Sequence, residues 1–449
     1  MFSFAVLATY LVVLYIRPMD WHTLPVYGLQ IMGLGLMDFI TILALAAWAG
    51  KRAAQGGRLM RSATDWMVLG LFLAALMSHV AHTFLGMFIT TFTDFGKVIL
   101  LYFIVVNILD ARWKVKAFAV LLVLVTAFMA VHGVLQIHRG YGFDGQLPMI
   151  QGVDTVRIKA FGIFEDPNDL GLTLVVAMPF LLMTVTARRG VFTRIGAMGL
   201  LGLLGYALYL TNSRGAFVAV VVTGFVFFYR RFGRVLGVAL GTLLVLGVMV
   251  YAPSRVQSMG GDTSGSGRRE VWTEGLKMFK SNPVFGVGWG RFGEHASAGK
   301  TAHNSLVLAF AEMGLVGLFF YVGMFYVTMR DLHRIDKLEP PEDADDEETD
   351  VLRSDQALVR ALYASLWGFT AAAFFLSRTY NQVPYVLIGM SAAFASIVRA
   401  ETAPEPAEDE EPQPERLLYD FYVTDTGRVA ALSLATIPTI YVLCRLMWR

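Results

Sequence analysis

Apolar residues in this 449-residue chain come in long runs, at 2–16, 29–49, 65–84, 95–109, 115–136, 167–186, 194–211, 213–229, 233–252, 303–329, 358–377, 380–398 and 429–447. Most approach the roughly 20 residues a helix needs to cross a bilayer. In lipid, each backbone N–H and C=O must be satisfied within its own segment or in a closed barrel, and runs of this length with no period of two predict helices. The expected fold is all-α: a polytopic helical membrane protein with about 12–13 transmembrane helices and one large loop over 253–302.

The pattern divides the chain into N-terminal transmembrane helices over 1–160 and a transmembrane region over 161–330 that includes loop 253–302 and should carry the chemistry. An acidic loop over 331–357, a transmembrane hairpin over 358–398, an acidic linker over 399–428 and a C-terminal transmembrane helix over 429–449 follow. The first run, Met1 to Ile16, lacks a charged leading region and a small-residue cleavage pattern, so it reads as a short retained span. No solenoid repeat is visible, and no matched pair of Gly/Pro-broken spans suggests the inverted repeats of a transporter.

Charge sharpens the picture. The net charge of +2 conceals two acidic stretches, Glu339 to Asp350 with eight carboxylates and Glu401 to Glu415 with seven. Setting those fifteen aside leaves twenty acids against 37 Lys and Arg. Both stretches read as solvated linkers, with a regulatory docking site as the alternative.

Basic residues follow the even-numbered spans: Lys51, Arg52, Arg58 and Arg61; Arg112, Lys114 and Lys116; Arg188, Arg189 and Arg194; Arg230, Arg231 and Arg234. The positive-inside rule places these loops and the N-terminus in the cytoplasm. The opposite, outer face then carries the 139–165 loop, Thr211 to Ser213, the 253–302 loop and the turn from Ser377 to Gln382. Cys444, the only cysteine, excludes a disulfide framework and a thiol metal site.

Candidate chemistry gathers on that outer face. In Asn212-Ser213-Arg214-Gly215-Ala216, either polar residue can cap the following helix. Arg214 then adds a guanidinium fork to the positive end of the helix dipole, which suits a phosphate; the alternative is an arginine snorkelling to lipid headgroups. Further on come Arg268, Arg269 and Trp272, then a glycine-rich stretch from Pro283 to Gly290. No strand precedes these glycines and no Gly-Lys-Ser/Thr completes a phosphate loop, and the stretch faces outward, which argues against a nucleotide loop. Trp272, Trp289, Phe285 and Phe292 can stack on sugar rings or anchor the loop at the interface.

His303 and Asn304 open the tenth run, with Thr301 as a candidate cap. A neutral imidazole is a competent base near neutral pH, and neighbouring guanidinium groups favour that form. The alternative is a structural histidine at a helix end. Glu312 lies nine residues on, about 180° around a helix from His303, and should serve another contact. Gly314 and Gly317 read as a small-residue face for close helix packing. Asn168, in Phe164-Glu165-Asp166-Pro167-Asn168-Asp169-Leu170-Gly171, sits at a helix start or in an acceptor-site wall. Arg378, Tyr380 and Asn381 form a polar turn. No His/Asp/Glu pair at ligand spacing suggests a metal on this face.

Together these pieces resemble the superfamily of bacterial O-antigen ligases, O-antigen polymerases and protein O-oligosaccharyltransferases, membrane glycosyltransferases of the GT-C type. The resemblance rests on Phe164 to Gly171, Asn212 to Ala216, Arg268-x-x-x-Trp272, Pro283 to Phe292, and His303-Asn304-x9-Gly314-x-x-Gly317, and covers about residues 160 to 320.

It implies that His303 is the general base on an acceptor hydroxyl and that Arg214 and Arg268 bind a donor pyrophosphate, with Arg269 a rival to Arg268. Asn304, Trp272, Asn168, Arg378 and Tyr380 join them as substrate-binding candidates. The implied partners are a polyprenyl-pyrophosphate-linked glycan, a hydroxyl acceptor on lipid A core, a glycan or a protein, and membrane lipid. Neither nucleic acid, cofactor nor metal is implied. The implied location is the bacterial inner membrane with the site facing the periplasm. A lipid-linked sugar transporter is the non-enzymatic alternative, but its candidate in-membrane polar residues, Asp38, Lys97 and His132, are scattered.

Overall fold

A computed structural model describes residues 1–56, 59–151, 155–187, 189–251, 264–340, 345–402 and 425–446. Arg58 and Arg188, the first part of loop 253–302 and most of the acidic linker lie outside the described residues. The chain is all-α in plan: each of the thirteen apolar runs is helical over most of its length, and among the described residues strands are confined to two short hairpins.

In chain order the elements are α1 (Phe2–Ile16), β1 (Gln30–Ile31), β2 (Leu34–Gly35), α2 (Leu36–Gln55), α3 (Ala63–Val80), α4 (Leu85–Ile108), α5 (Arg112–His138), β3 (Met149–Gln151) and β4 (Thr155–Arg157). Then come α6 (Pro167–Thr186), α7 (Val191–Thr211), α8 (Arg214–Tyr251), α9 (Ser264–Ser281), α10 (Phe292–His295), α11 (Ser305–Asp336), α12 (Asp346–Ala373), α13 (Gln382–Thr402) and α14 (Thr426–Leu446). Among the described residues, nine helices are long and apolar enough to span a membrane. One of them, α8, breaks at Gly233, where φ is 79° and ψ −174°. Its arms pack closely, Gly241 against Phe225 and Gly224 against Leu244, so two sequence runs form one hairpin. The shorter α1 and the more polar α2 and α12 account for the remaining runs.

Two expectations need correction. The run 29–49 is helical only from Leu36, because Met32 and Gly33 both take positive φ and turn β1 back on β2. The acidic stretch 339–350 is not a linker throughout: from Asp346 it is the first turn of α12, capped by Asp345, whose Oδ1 accepts the Glu348 N–H at 2.8 Å. Asp346, Glu347 and Glu348 there lie against the positive end of the helix dipole, which favours helix over solvated coil.

The chain forms two compact units, each assembled from three stretches. The first unit (Met1–Gly57, Ile104–Gly260, Leu332–Ala372) is centred on α6, which packs against α5, α7 and α8. Asp166 caps α6 and Pro167 occupies its first turn. Charged residues of the basic loops collect at one end of this unit, where Lys51 and Lys114 meet Asp110, Arg112 meets Asp355 at 2.7 Å, and Arg230 and Arg360 share Asp336. The other end carries the β3–β4 hairpin and the start of α8.

The second unit (Arg58–Phe103, Gly261–Asp331, Ala373–Arg449) holds α3, α9, α10, α13, α14 and most of α4 and α11. At one end Ser62 and Asp65 form a capping box on α3, and Tyr102 donates to Asp65 at 2.6 Å. Arg399 reaches Asp331 at 2.8 Å beside an Arg330–Asp425 pair. The other end of α11 carries His303.

Candidate functional site

Asn304, not Thr301, caps α11. Its side-chain oxygen accepts the N–H groups of Leu306 at 2.9 Å and Val307 at 3.1 Å, as only the residue directly before the first helical residue can. Thr301 instead donates to Ser377 Oγ at 2.8 Å. His303 precedes the cap with φ 48°, in the left-handed region that histidine tolerates better than most residues, and it is exposed. Because it lies outside the helix, the helical angle to Glu312 does not apply to it.

Two elements are bonded on either side of this imidazole. On the N-terminal side, the Trp272 indole N–H donates to Ala302 O at 3.0 Å. Trp272 is 3% exposed, with its ring edge-on to Phe374, so it holds the backbone before His303 and is not a free platform for sugar. Arg268 stands four residues earlier on the same face of α9, half-buried, with its guanidinium 5.4 Å from the Phe375 ring. This gives the Arg-x-x-x-Trp spacing a physical meaning: the tryptophan docks the helix that presents the arginine. Arg269 lies about 100° further round, within electrostatic reach of Cys444 on α14.

On the C-terminal side, Ser305 Oγ donates to Leu376 O at 2.7 Å and accepts from Arg378 N at 2.8 Å, while Thr379 Oγ1 donates to Ser305 O at 2.9 Å. The turn carrying Arg378 is therefore fastened to the first residue of α11.

The Gly314 reading is overturned. Gly314 does not face a neighbouring helix: it breaks α11 with φ 64° and ψ −158°, a conformation open essentially to glycine alone. The loop 283–288 lies against the break. Leu315 N donates to Pro283 O at 2.8 Å, and Val287 N and Gly288 N donate to Ala311 O at 2.9 Å and Glu312 O at 3.0 Å. A Cβ on Gly314 would come within 2.2 Å of Val284 O, and one on Gly317 would meet Met313 of its own helix. The residues 305–313 thus form a half-helix fixed at its far end by a loop.

Two aromatic residues that follow this loop turn inward. Phe292 is buried, and Trp289 packs against Phe95 and Tyr380. Tyr380, expected to meet substrate, donates its hydroxyl to Glu312 Oε2 at 2.7 Å. Burial, and after it the Glu312 carboxylate, pushes this phenol well above its ordinary pKa, so its O–H stays a donor.

In the first unit, Ser213 caps α8 and Asn212 closes α7 in the left-handed region with φ 49°. Arg214, half-buried, is the first residue of α8. Asn168 is a link in the scaffold: its Oδ1 accepts from Ser213 Oγ at 2.8 Å and from Arg157 Nη2 at 2.9 Å. Arg157, 4% exposed, also reaches Thr211 O at 2.8 Å and Gln151 Oε1 at 3.0 Å. Sequence reasoning missed Arg157, because the 139–165 loop also carries Arg139, Asp144, Asp154, Lys159 and Glu165 and nothing local set this arginine apart. Among the described residues no three His, Cys, Asp or Glu side chains are grouped as metal ligands.

Long apolar helices with a polar, arginine-bearing cluster at their ends define a polytopic membrane protein with a candidate catalytic face. Residues 199–322 match the family model described as O-antigen ligase, which places this region in the O-antigen ligase/polymerase family. The match indicates an O-antigen ligase-like glycosyltransferase. It covers Arg214, Arg268, Arg269, Trp272, His303 and Asn304; Asn168, Arg378 and Tyr380 lie beyond it. No curated protein matches the chain.

Proposed function

We propose that this protein transfers a glycan from a polyprenyl-pyrophosphate carrier to an acceptor hydroxyl at the periplasmic face of the inner membrane, as an O-antigen ligase. The observation that carries the reading is the start of α11. An exposed imidazole precedes a capped half-helix, and arginine-bearing elements are bonded to the residues on both sides of it, the Arg268 helix through Ala302 and the Arg378 turn through Ser305.

His303 takes the proton of the acceptor hydroxyl as its oxygen attacks the anomeric carbon. The bond from that carbon to the pyrophosphate oxygen breaks, with inversion, and the carrier leaves as its pyrophosphate. Arg268 and Arg378 stabilise the charge growing on the leaving group, and guanidinium forks match phosphate oxygens in pairs. In its own unit Arg214, at the positive end of α8, takes the anion-binding role the resemblance implies. The reaction needs neither nucleotide nor metal, because the carrier bond stores the energy and fixed cations meet the charge.

The test is His303→Ala at equal membrane abundance. Transfer should fall by roughly 10²–10⁴-fold, the usual worth of a general base. A ligase block leaves long polymer on the carrier and bare lipid A core; single repeats alone would assign the reaction to a polymerase, and an underglycosylated protein to a protein transferase. Near-normal transfer would refute the site. The face is tested in a Cys444→Ser background: a cysteine at exposed Ser297 should react with an impermeant maleimide in spheroplasts, whereas one at Arg353, 68% exposed, should react only after lysis.

A further inference from the structure

We propose that Glu312 is a positioning residue for His303 and Arg378, acting through the half-helix 305–313 and not on substrate. This rests on the proposed role of His303. Glu312 is 2% exposed and takes no part in the mechanism above. One carboxylate oxygen accepts the Phe292 N–H at 2.9 Å and the other accepts the Tyr380 hydroxyl at 2.7 Å. It therefore ties the loop that seats the helix break to the turn that carries Arg378.

Ser305 and Glu312 are seven residues apart, which puts them within about 20° of one another on the helix. The turn 376–380 runs along that face and is fastened at both ends: Leu376, Arg378 and Thr379 bond to Ser305, and Tyr380 bonds to Glu312. Release of the lower fastening frees the turn to rotate about Ser305 and moves Arg378 relative to His303. It also leaves the Phe292 N–H without its acceptor and loosens the loop against Gly314. A displacement of about 1 Å at reacting groups can cost 10²-fold in rate.

The chemistry of the contacts makes the idea testable. A glutamine can accept the Phe292 N–H through its amide oxygen and donate to the Tyr380 oxygen through its amide nitrogen, because a phenol also accepts. Shape survives in Glu312→Gln while charge and proton transfer do not.

The experiment measures kcat and KM for donor and acceptor on purified full-length protein in lipid nanodiscs, with a polyprenyl-pyrophosphate glycan and lipid A core. Glu312→Ala should lower kcat by about 10²-fold with KM within about twofold, Glu312→Gln should stay within about fivefold of the parent, and Tyr380→Phe should fall between. The double variant Glu312→Ala/Tyr380→Phe should be no slower than Glu312→Ala, since both remove one link. If Glu312→Ala fails to insert, the Gln and Phe variants carry the test. Glu312→Gln as inactive as His303→Ala would make the carboxylate a chemical participant and overturn the proposal, as would unchanged kcat in Tyr380→Phe. Should His303→Ala remain active, the functional reading fails first, which separates the two failures.

Discussion

The start of α11 in the second unit and the start of α8 in the first are both helix N-termini that present a candidate functional side chain, yet they are held in different ways. His303 is placed largely through backbone groups: Ala302 O on Trp272, Ser305 on the 376–379 turn, and a broken helix whose freed N–H groups go to the 283–284 carbonyls. Arg214 is placed by a side-chain relay that runs from Arg157 to Asn168 to Ser213. Backbone placement makes demands on glycine and tolerates little. A side-chain relay distributes the constraint over several polar groups and can lose one of them by degrees.

The largest effect should come from Gly314→Ala. Its backbone conformation costs a non-glycine residue about 1–3 kcal/mol, and the added methyl would also overlap the Val284 carbonyl. Membrane abundance should fall sharply, as judged by immunoblot and by the melting temperature of whatever inserts. Gly267→Ala is the control, since a methyl there meets nothing within 4 Å and alanine favours the helix. Equal abundance of the two variants would show that the loop does not constrain the break.

Next comes Trp272→Phe, which keeps an aromatic ring and removes the indole donor to Ala302. Turnover should drop roughly tenfold with donor KM little changed, at the low end of what a small misplacement of a catalytic group costs. Arg157→Met, in the other region, should act in the opposite sense. It leaves the Thr211 carbonyl without its buried donor, a cost of about 1–3 kcal/mol, and loosens the cap behind Arg214. Donor KM should rise while kcat holds. A kcat effect for Arg157 or a KM effect for Trp272, in the same steady-state assay, would erase the contrast.

Much of this was legible in the sequence. The thirteen apolar runs are helical because lipid leaves the backbone few other options, and the placing of Asp166 and Pro167 at the head of α6 follows from capping chemistry. The motif residues around His303 and Arg214 could be named from spacing and resemblance. What spacing could not carry was direction. Gly314 and Gly317 fit a helix-packing face as well as a helix break, and only the long-range approach of residues 283–288 decides between them. Trp272 looked like a ring platform and Tyr380 like a substrate contact, because a sequence shows an aromatic side chain but not whether its polar atom already has a partner. Arg157 was invisible for the same reason: Gln151, Thr211 and Asn168, which accept from it, come from β3, the end of α7 and the start of α6, which no local pattern brings together.

The smallest effect gives the finest comparison, because the two helices have caps of equal kind. Ser213→Ala removes the side chain facing the Ala216 N–H, and Asn304→Ala removes the acceptor of the Leu306 and Val307 N–H groups. Each loss should cost about 1 kcal/mol of stability, the usual worth of a cap, and shift melting by a few degrees at most. Activity should nevertheless separate them. Ser213 shares its work with Asn168 and Arg157, so transfer by Ser213→Ala should stay within about twofold of the parent. Asn304 directly follows His303 in the chain, and the left-handed turn that aims the imidazole ends on that cap, so Asn304→Ala should lose several times more activity at the same stability. Asn304→Asp, which caps equally well, should restore the stability. If both alanine variants lose activity in step with stability alone, the imidazole is held by the surrounding loop and turn, and the cap contributes only to folding.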